Sequence, residues 1–368
     1  MPRKELVNSV KRVVVKIGTT SLTENSEISS EKVSRFVRQV CDILKEGYQV
    51  VIVSSGAVTA GAGTFGRGRE QLSIPQKQAL AAVGQTLLIN EYQKHFSRHG
   101  YTVGQILLTE DDVKHRRRFL NARHTMETLL DMGVVPVVNE NDTVVVKEIK
   151  FGDNDTLSAH ITSLISADLL ILLSDVDGFF MDLNDPEPVE LISRINDTII
   201  ERAGGRGTSH GTGGMATKIR AAELIIRFGE KMVIANASAP DVLKKILKGE
   251  RVGTMFSGSQ KRLSSRKKWV ALKKPKGSIF LDDGAVAAIR ERKKSLLATG
   301  ITELTGTFDM GAVIELFDSK GLAVGKGIVN YNSVELEQIL GKNSKEIKKI
   351  LQGTFFDEVI NRDDLIMY

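Results

Sequence analysis

"RVVVKIGTTS" occupies residues Arg12–Ser21. Its first half is short, apolar and β-branched, which reads as a buried strand. Its second half turns at once to glycine and hydroxyl residues. Lys16 stands at the junction. A lysine leaving an apolar strand is costly unless an anion meets it. The small residues Gly18, Thr19, Thr20 and Ser21 would let backbone N–H groups approach such an anion, above all a phosphate. From this stretch alone, a strand-end lysine reaching solvent reads equally well.

Working outward, the same alternation repeats. Val33, Phe36, Val37, Val40, Ile43 and Leu44 are spaced as one apolar stripe on a helix, which Gly47 closes. "QVVIV" (Gln49–Val53) is a second strand, and a helix of roughly residues 76–99 follows Pro75. "TVGQILL" (Thr102–Leu108), "VVPVV" (Val134–Val138), "LLILL" (Leu169–Leu173) and "KMVIA" (Lys231–Ala235) are further strands with helical segments between them. Strands that are apolar on both faces and separated by helices indicate an α/β domain. Its sheet is mostly parallel and sandwiched by helices.

The texture changes near residue 257. "SGSQKRLSSRKK" (Ser257–Lys268) is basic, without apolar periodicity, and reads as a linker. Beyond it, "GSIFLD", "AVIELFD" and "GLAVGKGIVNY" are short runs separated by Gly and Asp. They predict a small, mainly β unit. The expected boundaries are 1–257, a linker over 258–275, and 276–362. With 368 residues the chain is long enough for two domains with a sizeable core. Its single cysteine, Cys41, cannot form an internal disulfide, which fits a reducing cytoplasm. The start "MPRKELVNSVKR" has no apolar segment of a secretory signal, and no apolar run has membrane-spanning length. A net charge of +6 allows anionic substrates or nucleic acid. The six histidines show no metal-ligand spacing.

The polar segments "KIGTTS", "SSGAVTAG", "NENDT" and "SDVDG" each follow a strand, so they can line one rim at the carboxyl edge of the sheet. In "SSGAVTAG" (Ser54–Gly61), Gly56 permits close backbone approach and Ser55 can hydrogen-bond a carboxylate. A tight strand-to-helix turn is the plain alternative. "NENDT" (Asn139–Thr143) and "GDNDT" (Gly152–Thr156) cluster acids and amides, suiting an ammonium or a magnesium-bound phosphate. Asp155 and Thr156 could equally cap the following helix. Ser174 and Asp175 sit where a nucleotide base or ribose could be held, or in a simple turn. "GTGGMATKIRAAE" (Gly211–Glu223) offers glycine N–H groups, a helix start and Lys218, although its spacing is not that of a Walker loop. Two lysines, glycine-lined turns and acidic loops on one rim suit phosphoryl transfer, which is largely positioning and charge neutralisation. No residue stands out as a general base. A carboxylate acceptor, ionised at neutral pH, needs none.

"VVVKIGT", "SSGAV", "VVNENDTV", "FGDNDTLSA", "LLSDVDG" and "GTGGMATK" occur in the order and rough spacing of the glutamate 5-kinase family, within the amino-acid kinase superfamily. "DDGAVAAI", "KGIVNYNS" and "EQILG" resemble its C-terminal PUA domain. The resemblance covers nearly the whole chain. It implies transfer of the ATP γ-phosphoryl to the side-chain carboxylate of L-glutamate, the opening step of proline biosynthesis, with Mg2+ bound through ATP. By resemblance, Lys16 and Lys218 contact phosphates and Asp155 holds them in place. Ser55, Asp142 and Asn154 would bind glutamate. Lys16, Ser174, Asp175 and the segment Thr212, Gly213, Gly214, Met215, Ala216, Thr217 and Lys218 would bind ATP. Ala216 is a departure, since relatives often carry Ser. The family also implies a homo-oligomer, dimer or tetramer, and feedback inhibition by proline. RNA contact through the PUA-like unit is the weaker reading beside a solvated linker. Two competitors remain: a kinase of the same fold for N-acetylglutamate, aspartate or carbamate, and an RNA-binding protein with a degenerate kinase domain.

Overall fold

The computed structural model describes residues 3–66, 72–144, 154–182, 184–204, 214–258, 265–351 and 356–368. The chain divides into two compact units, Met1–Arg262 and Leu263–Tyr368.

The first unit begins with α1 (Arg3–Val7), β1 (Arg12–Ile17), a single 3-10 turn (Thr19–Ser21), the small hairpin β2 (Thr23–Glu24) and β3 (Glu27–Ile28), and α2 (Ser30–Lys45). It continues through β4 (Gln49–Val53), α3 (Ala57–Thr64), α4 (Ile74–Ser97), β5 (Val103–Leu108), α5 (Glu110–Lys114), α6 (Arg116–Asp131) and β6 (Val135–Glu140). Then come α7 (Asn154–Leu164), β7 (Leu169–Ser174), β8 (Leu191–Ile192), α8 (Asp197–Arg202), α9 (Met215–Arg227), β9 (Lys231–Asn236), α10 (Val242–Leu247) and β10 (Thr254–Ser257). Among the described residues the sheet runs β5-β6-β4-β1-β7-β9-β10-β8. The pairs from β5 to β9 are all parallel. β10 is antiparallel to β9 and parallel to β8, so the sheet turns mixed at one edge. The sequence pattern stops at Lys231–Ala235 and misses β8 and β10, which are too short for a periodicity to register.

Strand period two decides what each face of β1 meets. Val13, Val15 and Ile17 enter one core with Val33, Phe36, Val37 and Val40 of α2, Leu88, Tyr92 and Phe96 of α4, and Val242, Leu243 and Ile246 of α10. Val14 and Lys16 therefore face the opposite side, where α7 packs on β1 and α9 packs on α7. The helices start where their caps dictate. Ser29 caps α2, and a reciprocal Ser73–Gln76 capping box starts α4 at Ile74, earlier than the Pro75 signal suggested. β6 runs on through Asn139 and Glu140, so the first two residues of "NENDT" are strand rather than loop.

The second unit holds α11 (Ser265–Leu272), β11 (Ser278–Leu281), α12 (Asp283–Arg290), β12 (Ile301–Thr305), β13 (Val313–Phe317), β14 (Ala323–Ile328), α13 (Ser333–Ile339), α14 (Ser344–Ile350) and β15 (Leu365–Met367). Its sheet runs β12-β11-β13-β14-β15, antiparallel except for β11 with β13. Ile279, Leu281, Ile314, Leu316, Leu336 and Ile339 form its core. Within the stretch read as a linker, Ser265–Leu272 is helical. It packs on β14 and β15 and buries Trp269 and Val270. Four consecutive apolar residues at the end of a basic run are too few to give a helical pattern.

Candidate active site

Lys16 ends β1 on the face turned toward α7. Asp155 is the second residue of α7, in the first turn, where the helix dipole favours an acid. Lys218 is the fourth residue of α9. The three meet: Lys16 Nζ lies 2.5 Å from Asp155 Oδ1, and Lys218 Nζ lies 3.3 Å from Asp155 Oδ2. Thr217 Oγ1 donates to Asp155 Oδ2 at 2.9 Å. Asp155 is fully buried, and Lys16 and Lys218 are only 7% and 4% exposed. Burial pushes the Asp155 carboxyl up. The Lys16 and Lys218 ammoniums, with hydrogen bonds from Lys16 and Thr217, outweigh burial and leave it below the ordinary carboxylate range. Two buried ammoniums converging at the strand ends suit a polyanion. The N-terminus of α9 adds to this, since Gly214 at its cap offers no side chain to the free N–H groups.

A second cluster lies at the ends of β4 and β6. Asn154, the first residue of α7, donates from Nδ2 to Ser55 Oγ at 2.8 Å, to Ser54 O at 2.7 Å and to Asn139 Oδ1 at 3.0 Å. Asn139 Nδ2 donates to Gln85 Oε1 at 2.8 Å. Ser54 Oγ meets Tyr92 OH at 2.9 Å. The loop after β4 thus rests on α4 and β6. Gly56 has φ +103°, a conformation that favours glycine, and a side chain there would meet Thr19 Cγ2 at 3.7 Å and Thr23 Cγ2 at 3.8 Å. The loops after β1 and β4 therefore abut, and the two clusters belong to one rim.

The remaining sequence candidates are spread around this rim. Ser174 Oγ donates to Asp175 Oδ1 at 2.9 Å at the end of β7. Both line a small cavity with Thr20, Ser21, Lys32, Arg35 and Ser238. Asp142 is half-buried in the turn after β6. Met215, Ala216 and Thr217 form the first turn of α9, and all three are half-buried. Thr212 and Gly213 lie outside the described residues. Sequence reasoning missed Gln85, Tyr92 and Lys32. Gln85 gave a signal, as a polar residue on the apolar face of α4. Among the described residues no group of three or more His, Cys, Asp or Glu could hold a metal ion, and no helix is long and apolar enough to cross a membrane.

Comparison with known proteins gives the family. Residues 11–236 match the amino acid kinase family and residues 277–351 the PUA domain. The chain belongs to the amino acid kinase family. Within that class, two curated relatives carry one name. It is 44% identical to glutamate 5-kinase of Caldanaerobacter subterraneus subsp. tengcongensis over 97% of both chains. It is 45% identical to glutamate 5-kinase of Syntrophotalea carbinolica over 99% of both. At that identity and coverage it groups with the glutamate 5-kinases. Among solved structures it resembles Giardia carbamate kinase, with a TM-score of 0.49 and 18% identity, covering 68% of this chain and 100% of that one.

Proposed function

We propose that this protein transfers the γ-phosphoryl group of ATP to the side-chain carboxylate of L-glutamate, giving L-glutamyl 5-phosphate, the first step of proline biosynthesis. The observation that carries the reading is the buried Lys16–Asp155–Lys218 arrangement at the strand ends. A glutamate carboxylate oxygen attacks the γ-phosphorus as the bond to the β–γ bridging oxygen breaks, and the electron pair leaves with ADP. No proton moves, so no general base is required. Lys16 and Lys218 neutralise charge on the phosphoryl oxygens, and Asp155 and Thr217 hold the ammoniums in register. Ser55 and Asn154 bind the glutamate carboxylate side, and Asp142 pairs with its ammonium. Ser174, Asp175 and the Thr212–Lys218 segment bind ATP. The oxygens of Asp155 face two ammoniums and a hydroxyl, which fits magnesium held by phosphate oxygens and water rather than by this carboxylate. When bound, the ion neutralises charge on the phosphates. Self-association, inhibition by proline and a cytoplasmic location complete the proposal.

The test is an acyl-phosphate trap. With ATP, magnesium and hydroxylamine, the protein forms a hydroxamate from glutamate. Lys16→Ala and Lys218→Ala abolish it while circular dichroism stays native. Turnover with aspartate, N-acetylglutamate or carbamate but not with glutamate would overturn the acceptor assignment. Running the same assay with added proline, and sedimentation of the free protein, tests the other two parts.

A further inference from the structure

The turn after Lys16 is held by a residue from another element. Lys32, in the first turn of α2, donates from Nζ to the carbonyl oxygen of Thr23 at 2.8 Å and to that of Thr20 at 3.3 Å. The geometry points to Lys32 as a positioning residue for nucleotide binding, acting through the backbone of the Gly18–Glu24 turn. This rests on the kinase reading above.

Peptide planarity is the physical link. A carbonyl fixed in direction fixes the N–H of the next residue, because both lie in one plane. The Thr19 carbonyl accepts from Leu22 N at 3.0 Å and from Thr23 Oγ1 at 2.9 Å, which sets the direction of the Thr20 N–H. The Thr20–Ser21 plane is set from both ends. Lys32 holds its carbonyl, and Ser21 N donates to Gly18 O at 3.2 Å. The Thr23–Glu24 plane is held at its carbonyl by Lys32. Gly18 N in turn donates to Leu173 O at 3.3 Å, tying the turn to β7, whose end carries Ser174. One ammonium thus joins two peptide planes of a turn that begins two residues after Lys16. Lys32 is the charged donor among the bonds that hold this turn, and it ties the turn to α2.

The surroundings place this ammonium beside the nucleotide residues. Lys32 lines the same cavity as Thr20, Ser21, Ser174 and Asp175. Its backbone N–H meets the Ser29 cap at 3.5 Å, so the side chain leaves from an anchored first turn. The turn it holds also meets the loop after β4 at Gly56, so a loosened turn would reach the carboxylate side as well. The first and larger effect falls on ATP.

The experiment compares Lys32→Met, which keeps the stem and loses the donors, with Lys32→Arg, which keeps a charged donor. Binding of a non-hydrolysable ATP analogue is measured by calorimetry without glutamate, and KM for ATP and for glutamate by ADP release. Lys32→Met should weaken the analogue and raise the KM for ATP about tenfold, the worth of one charge-assisted hydrogen bond. Its glutamate KM should change less and its urea midpoint little. Lys32→Arg should restore most of the affinity. Unchanged analogue binding in a folded Lys32→Met protein overturns the inference. So does a loss that only parallels a fall in the urea midpoint. If the parent protein binds the analogue but makes no acyl phosphate from glutamate, the acceptor assignment fails, and analogue binding still decides the role of Lys32.

Discussion

Asp155→Asn removes one negative charge and almost no volume, so its effect isolates the electrostatics of the site. The carboxylate is fully buried and is the shared partner of Lys16 at 2.5 Å and Lys218 at 3.3 Å. Removing one partner of a buried pair costs about 3–5 kcal/mol, because the remaining charge stays buried and uncompensated. Here two cations lose the same anion and are left to repel each other, so the upper part of that range applies. With a urea dependence of about 3 kcal/mol per molar, the midpoint of unfolding should fall by more than about 1 M. Turnover in the hydroxamate assay should fall about 100-fold to 1000-fold, the usual worth of a preorganised charge. Two further measurements separate the electrostatic account from simple damage. Magnesium-ATP should raise the melting temperature of Asp155→Asn more than that of the parent, since phosphate supplies the missing negative charge. The triple variant Lys16→Met, Asp155→Leu, Lys218→Met should recover most of the lost stability and none of the turnover. An unchanged urea midpoint together with a turnover within about twofold of the parent in Asp155→Asn would refute the reasoning.

Three other outcomes are expected. Gly84→Ala places a methyl group 1.8 Å from the Ala57 carbonyl oxygen, where α4 crosses α3, and should cost about 3 kcal/mol in urea unfolding. Because Ala57 adjoins Gly56 directly, turnover should fall with it. Asp155 has its carboxyl depressed below the ordinary 3.8, so its contribution is complete above about pH 4 and is lost as pH falls through the lower native value. Urea midpoints at pH 5 and pH 3 should therefore differ more in the parent than in Asp155→Asn. Cys41 is fully buried, and burial, reinforced by Asp42 against Lys45, pushes its thiol up to about 11. At pH 8 a thiol reagent should label the native protein only as fast as it unfolds, and label one equivalent in urea.

How far the site could be read beforehand depends on distance along the chain. Lys16 and Lys218 announce themselves locally, one as a charge ending an apolar strand, the other as a cation in a helix start after glycines. Ser55 and Ser174 are marked by their place at strand ends in an alternating pattern. The short strands β8 and β10 and the helix Ser265–Leu272 leave no periodic trace, because two to four residues, or four apolar residues in a basic run, do not make a pattern. The bonds from Gln85 to Asn139 and from Asn154 to Ser55 join residues 54 and 99 positions apart. No local rule brings such groups together.

By itself, the sequence determined the class of fold, the rim where polar loops gather and the residues with chemistry to offer, since burial pattern and residue type are local properties. It left Asp155 between capping a helix and holding two lysines, and it was silent on Lys32. Only the tertiary structure decided these. Period two turns Lys16 to the face of β1 on which α7 lies, and α7 carries Asp155 there in its first turn. The packing of α9 on α7 then brings Lys218 to the same carboxylate, and the anchored start of α2 brings Lys32 to the turn. The physical reason is that electrostatic function depends on distances of about 3 Å between groups that the chain keeps far apart.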